Sequence, residues 1–231
     1  MDELTRRPPA LCLVTDRTHT GRRELADVVR ECAPAGLPAV QVREKDLPAG
    51  DLAGLCRRLR AVAPDLLLIV NDRVDVALAV GADGVQRTSV SLPIEDIRAI
   101  AGRRLVIGAS VHSLADAIEA EVKGADWVVF GPIYDTASKR RYGPPQGLGA
   151  LEQVATGVRI PVVAIGGITA ERVEAVCAAG AAGVAVISAI LSVASPPDAT
   201  RRFLDALVDA GIDVGAARQR DAAPTAIPPR Q

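Results

Sequence analysis

The chain has 231 residues, 27 basic and 28 acidic side chains, a net charge of −1, and a composition that is 49% hydrophobic but only 2% aromatic. That length suits one large α/β domain, and the absence of any long block of one charge argues against a nucleic-acid or membrane-surface partner. The core has to be assembled from Val, Ile, Leu and Ala, the palette of parallel strands covered by helices.

Residues 1–9, charged and ending in Pro8-Pro9, read as a loose leader. The first strand is expected over Ala10–Thr15. Leu25, Val28, Val29 and Cys32 form an apolar helical face, and Pro34 and Pro38 bracket the turn after it. The segment AVQVREKD alternates, with Gln41, Arg43 and Lys45 on one side, and predicts a second strand that ends in charge. A helix follows over residues 51–62. LLLIVND is the third strand, ending in Asn71 and Asp72, and Val74–Val80 is a short helix.

Residues 84–86 form a short fourth strand, followed by a polar loop from Arg87 to Ser91 and a helix from Pro93 to Ile100. LVIGAS, ending at Ser110, is the fifth strand. Its helix begins near Ser113, with Leu114, Ala117 and Ile118 expected inward. DWVVFGP is the sixth strand, after which residues 133–146 make the longest connection in the chain, and loops of that length are usually functional. A helix over residues 147–156 precedes the last two strands, Val162–Ile165 and Val184–Ile187. Between them come Gly166-Gly167 and the helix TAERVEAVCAAG. A short helix near Ser188 and an amphipathic helix from Ala199 to Ala210, packing Phe203, Leu204 and Leu207, complete the domain at residue 212. Residues 213–231, rich in Ala, Pro and Arg, are expected to be disordered.

Eight strand-helix units at regular spacing predict an α/β fold, a single (β/α)8 TIM barrel over residues 10–212, in which the site lies where the strands end. The strand ends and loops supply Gln41, Arg43, Lys45, Asn71, Asp72, Ser110, Thr136, Ser138, Lys139, Gly167 and Ser188. Cations, hydroxyls and backbone amides dominate this set, which suits phosphate or pyrophosphate because charge-assisted donors stabilise phosphoryl oxygens. Gly166-Gly167 and the start of the Ser188 helix let backbone amides approach an anion. Cys12, Cys32, Cys56 and Cys177 show no metal-ligand spacing and no signal segment is seen, so reduced thiols in a cytoplasmic protein are expected. The partners implied are phosphorylated small molecules, with no nucleic acid and no membrane, and a homo-oligomer is compatible with the sequence.

In LCLVTD, QVREKD, VNDRVDVALAVGADGV, GASVHS, FGPIYDTASK, AIGGI and VAVISAI, taken in order, the chain resembles the family that joins thiamine phosphate synthase with thiazole tautomerase. The resemblance spans roughly residues 10–210. It implies that Gln41, Arg43 and Lys45 face a pyrimidine pyrophosphate, that Asn71 and Asp72 flank Mg²⁺ and pyrophosphate, with Asp72 as metal ligand, and that Ser110 lies close to both. It further implies that Thr136, Ser138 and Lys139 grip substrate phosphates and that Gly167, Ile187 and Ser188 cradle a thiazole phosphate. Arg43, Lys45, Ser110 and Lys139 are the residues it assigns to catalysis.

The sequence also departs from that pattern. Where the synthases read His-Leu-Gly-Gln-x-Asp after the fourth strand, this chain reads Gln86, Arg87, Thr88, Ser89, Val90, Ser91, so Ser91 replaces a second metal carboxylate. That stretch and Val111-His112-Ser113 look more like the tautomerase branch. The histidine characteristic of that branch is Pro132 here, while Asp72 and Lys45 side with the synthase. Three readings follow: a synthase, a tautomerase acting on a thiazole phosphate carboxylate, or a non-catalytic thiazole-phosphate binder. His112 is expected to cap or pack, and Trp127 and Tyr142 to pack.

Overall fold

The computed structural model describes residues 8–136 and 144–215. Eight parallel strands close into a barrel in sequence order, β1 (Leu11–Val14), β2 (Ala39–Val42), β3 (Leu67–Asn71), β4 (Gly84–Arg87), β5 (Val106–Val111), β6 (Trp127–Phe130), β7 (Val162–Ile165) and β8 (Gly183–Val186), with β8 paired back to β1. This is the TIM barrel expected from the strand-helix count. The helices are α1 (Leu25–Cys32), α2 (Ala49–Val62), α3 (Val74–Ala79), α4 (Ile94–Ala101), α5 (Leu114–Val122), α6 (Gly147–Gly157), α7 (Val173–Ala178), α8 (Ser188–Leu191) and α9 (Pro196–Asp209).

Two apolar clusters fill the molecule. One lies between strands and helices and takes alternate strand residues such as Leu13, Val40, Leu68, Val85 and Val128. The other fills the barrel interior with Cys12, Val14, Ala39, Leu67, Ile69, Val106, Trp127, Val129, Val163 and Ala185. Because the side-chain period of a strand is two, the interior parity continues upward to Gln41, Asn71, Gln86 and Ser110. The parallel register places Asn71 beside Gln86, and Gln86 beside Gly108. A Cβ on Gly108 would lie 2.2 Å from Gln86 Oε1 and 2.5 Å from Trp127 Nε1. Its missing side chain is the space those two larger groups occupy.

Local differences from the expected elements have packing reasons. Ile118 is exposed, and α5 buries Ala120 beside the expected Ala117. The alternation of AVQVREKD outlasts the strand: β2 stops at Val42 and the charged residues continue as loop. Pro196 and Pro197 lie inside α9, in the first turn, where a missing N–H costs nothing, and Ser195 caps that turn. The helix after Gly166-Gly167 opens as a 3-10 turn over Ala170–Arg172 before α7. At the amino-terminal base Pro9 is buried, and its carbonyl lies against the position a Cβ of Gly183 would take.

Candidate active site

Because all eight strands are parallel, their polar ends share one rim. The structure brings Gln41 and Arg43, Asn71 and Asp72, Ser110, Gly167, Ile187 and Ser188 to that rim, with Lys45 and Thr136 in its loops. Ser138 and Lys139 lie outside the described residues, as does Tyr142.

The floor of the site is two side-chain pairs on adjacent strands. Gln41 Nε2 donates to Asn71 Oδ1 at 3.1 Å, and both residues are buried. Gln86 Nε2 donates to Ser110 Oγ at 3.0 Å, while Gln86 Oε1 is buried without a partner. These pairs fix which amide and hydroxyl groups still face upward, since a buried polar group held by a neighbour has a single favourable orientation.

Thr15, fully buried at the end of β1, is a site-supporting residue that strand-end reading passed over. Its backbone N donates to Gln41 O and its Oγ1 accepts from the Arg43 backbone N, both at 2.9 Å. Arg43 is thereby fixed at the backbone where β2 ends. Thr15 follows an apolar strand and looks like its last residue, so only strand pairing reveals the role.

Asp72 follows Asn71 with φ at +69°, the only non-glycine residue with positive φ among the described residues. Its N donates to Gln86 O at 2.9 Å, and the Arg73 N returns to Asn71 O at 2.8 Å, which holds the turn. Asp and Asn are the non-glycine residues that best tolerate this region, and strained backbone of this kind gathers at functional sites. The turn takes half-buried Asp72 out of the strand line while Asn71 stays in the floor.

Ser91 has a local task. Its Oγ accepts from Thr88 N at 2.8 Å and lies 3.0 Å from Thr88 Oγ1, closing the loop after β4. Arg87, pointing to the outer side of the strand, has a buried Nε with no partner and lines a cavity of about 120 Å³ with Ser89, Ser110, His112 and Lys123. His112 is exposed, with its ring Nδ1 donating to Gly131 O at 2.7 Å and its backbone N to Asp116 Oδ2 at 3.2 Å. Trp127 is buried in the barrel.

Gly166 and Gly167, with φ of +103° and +64°, sit hard against the loop after β6. Tyr134 N donates to Gly166 O at 3.0 Å, and a Cβ on Gly167 would lie 2.8 Å from Tyr134 Cβ and 2.9 Å from Asp135 O. Arg172 Nη1 donates to Gly167 O at 2.6 Å while its guanidinium stacks 4.3 Å from the Tyr134 ring centroid. The two glycines therefore fasten the loop that leads to Thr136, in addition to baring amides beside Ile187 and the first turn of α8. Ile190 N and Leu191 N both donate to Ile187 O, at 3.2 and 2.9 Å, so the first-turn amides without an intrahelical acceptor, and available to an anion, are those of Ser188 and Ala189.

Among the described residues no three His, Cys, Asp or Glu side chains group as a metal cage, and no helix is long and apolar enough to cross a membrane. Cys12, Cys32 and Cys56 are buried and Cys177 half-buried, all as free thiols.

A closed parallel barrel with amides, hydroxyls, cations and the Asp72 carboxyl group on its carboxyl rim defines a (β/α)8 enzyme built for an anionic small molecule. A family profile described as thiamine monophosphate synthase matches residues 11–190. The chain is 44% identical over 202 residues to a thiamine-phosphate synthase of Methanoculleus marisnigri, covering 87% of this chain and 96% of that one. It is 41% identical over 203 residues to a thiamine-phosphate synthase of a Roseiflexus species, covering 87% and 86%. The solved thiamine phosphate pyrophosphorylase of Pyrococcus furiosus superimposes with a TM-score of 0.81 at 38% identity, covering 89% of this chain and 98% of that one. The chain belongs to the thiamine monophosphate synthase family, transferases of thiamine biosynthesis.

Proposed function

We propose that this chain is a thiamine-phosphate synthase that joins hydroxymethylpyrimidine pyrophosphate to thiazole phosphate, releasing pyrophosphate. The observation that carries the reading is the pair of cations, Arg43 and Lys45, leaving β2 immediately above the Gln41–Asn71 floor and sharing the rim with Asp72. In the reaction the bond between the pyrimidine methylene carbon and the pyrophosphate oxygen breaks, and the electron pair leaves with pyrophosphate. The thiazole nitrogen then donates its lone pair to the resulting cation. The protein has to neutralise a leaving group more than abstract a proton.

Arg43, Lys45 and Lys139 are assigned to the pyrophosphate oxygens, with Ser110 as a hydroxyl donor beside them. Gln41 and Asn71 are assigned to the pyrimidine and its leaving group. Thr136, Ser138, Gly167, Ile187 and Ser188 are assigned to the thiazole phosphate, which the glycine amides and the first turn of α8 suit.

The donor set fits Mg²⁺ in one way only. Asp72 offers a carboxylate just past the end of its strand, whereas the Ser91 hydroxyl is occupied by Thr88. Mg²⁺ commonly takes one or two protein carboxylates and completes its shell with water and substrate phosphates, so Asp72 would hold it together with the pyrophosphate. Bound there, it would neutralise charge on the leaving group. The tautomerase reading lacks its acid-base group, since Pro132 stands in the position after Phe130-Gly131 and His112 is turned to the Gly131 carbonyl.

The test is the initial rate of thiamine phosphate formation from both substrates across a range of Mg²⁺ concentrations. Coupling that rises with Mg²⁺ is expected. No coupling at any concentration, with thiazole phosphate still bound, would overturn the synthase reading.

A further inference from the structure

The two cations assigned to the substrate stand in an awkward sequence. Arg43, Glu44, Lys45 and Asp46 alternate basic and acidic side chains in the loop directly after β2. Left to itself such a run neutralises its own charges, and a cation already paired with a carboxylate is a poor anion ligand. In the structure both acids turn instead to Arg17, in the loop after β1. Glu44 Oε2 accepts from Arg17 Nη1 at 3.2 Å and from Arg17 N at 3.4 Å. Asp46 receives both ends of the same guanidinium, from Nη1 at 3.1 Å and from Nη2. Among the described residues, neither Arg43 nor Lys45 makes an ion pair or a side-chain hydrogen bond.

The Glu44 side chain is only 4% exposed, and its Oε1 has no partner. A buried carboxylate with a spare lone pair competes for any nearby cation, so the direction in which it is held matters. Arg17, in contrast, is 39% exposed at its side chain and reaches across from the 3-10 turn Arg17–His19 that follows β1. The mutual hydrogen bonds hold the Asp46 carboxyl below its ordinary value and raise the Arg17 guanidinium above its own.

We infer that Arg17 is a positioning residue that takes up Glu44 and Asp46, and so leaves Arg43 and Lys45 unpaired for the anionic substrate. This rests on the assignment of Arg43 and Lys45 to the substrate given above. Removing Arg17 releases two carboxylates beside those cations, and the anion then has to displace them.

The experiment uses inorganic pyrophosphate as the probe, measured by calorimetry in chelator-containing buffer at low salt, on the whole chain. Arg17→Gln is expected to weaken pyrophosphate binding about tenfold, and Arg17→Gln with Glu44→Gln and Asp46→Asn to restore it to within about twofold of the parent. A role for Arg17 as a direct ligand, or as a purely structural brace, predicts no such restoration. If Arg17→Gln fails to fold because Glu44 is left charged and unpaired, the double variant with Glu44→Gln is compared with the triple, and the double is expected to bind about threefold more weakly. Unchanged affinity in Arg17→Gln, or a triple variant as weak as the single or double it is compared with, overturns the inference. Arg43→Ala separates the two levels. If it binds pyrophosphate like the parent, the site assignment fails and the inference with it. If it binds weakly while Arg17→Gln does not, the inference alone falls.

Discussion

Gln41 Nε2 meets Asn71 Oδ1 at 3.1 Å across the β2–β3 seam, 30 residues apart in the chain, with both side chains closed off from solvent. Each orients the other, so the floor of the site is set by a pair. Asn71→Leu should strand the Gln41 amide and lower unfolding free energy by about 1–3 kcal/mol, with Gln41→Leu similar. The double variant should cost less than the sum of the two singles, because the unpaired partner is gone. Urea titrations of the three proteins check this, and strict additivity would deny the coupling.

The left-handed backbone at Asp72 separates stability from function. Asp72→Asn keeps a side chain that tolerates this conformation and should unfold within about 0.5 kcal/mol of the parent, whereas Asp72→Val should lose about 1–2 kcal/mol to backbone strain. Both should lose the Mg²⁺ dependence of coupling. Thermal melts and rate measurements on the same preparations give the comparison.

Ser91→Asp should strengthen metal binding without loosening the loop. One carboxylate oxygen can keep the bond from Thr88 N, 2.8 Å from the present hydroxyl, and the other is free for the ion. The Mg²⁺ concentration for half-maximal coupling should fall by up to about tenfold, corresponding to ~1.4 kcal/mol. Ser91→Ala should leave that concentration unchanged and cost about 1 kcal/mol through the orphaned Thr88 N–H. A metal titration of the two variants and the parent decides it.

Gly167 bears on both stability and ligand binding. With φ at +64° and Tyr134 Cβ and Asp135 O within 3 Å of a would-be Cβ, Gly167→Ala cannot be accommodated by side-chain movement alone. It should cost more than about 1 kcal/mol and weaken thiazole-phosphate binding at the same time, by shifting the loop that carries Thr136. Gly167→Val should do more of both. Full stability with lost binding would mean that the glycine serves only the ligand.

Burial sets the order in which the thiols react. The Cys12 thiol, inside the barrel, is pushed up from 9.0 to about 12, and Cys56, between sheet and helices, to about 11. Both are raised chiefly by burial. A group whose native value is raised contributes stability that is complete below its unfolded value and is lost as pH climbs toward the native one. Stability should therefore fall between about pH 9 and 12. At pH 8 iodoacetamide should modify half-buried Cys177 in the native protein well before the buried three, as mass spectrometry would show.

The strand-helix count, the parallel sense of the sheet and the barrel were legible in the chain's patterning, because apolar runs of strand length alternating with helical faces leave few other ways to cover both sides of a sheet. That patterning also identified the polar strand ends, and parallel closure puts all of those on one rim. It did not reveal how those ends are paired. Thr15 with Arg43, Gln86 with Ser110 and Arg17 with Glu44 join residues 24–28 positions apart, and those contacts exist only once neighbouring strands have a register. Nor could helical spacing choose Ala120 over Ile118 as an inward residue of α5, since periodicity gives the relative angle between side chains and the barrel surface decides which angle points in. The charges after β2 make the same point. Their alternation was plain in the sequence, but which cation holds the acids was decided by a loop from a different strand, brought within hydrogen-bond range by barrel closure.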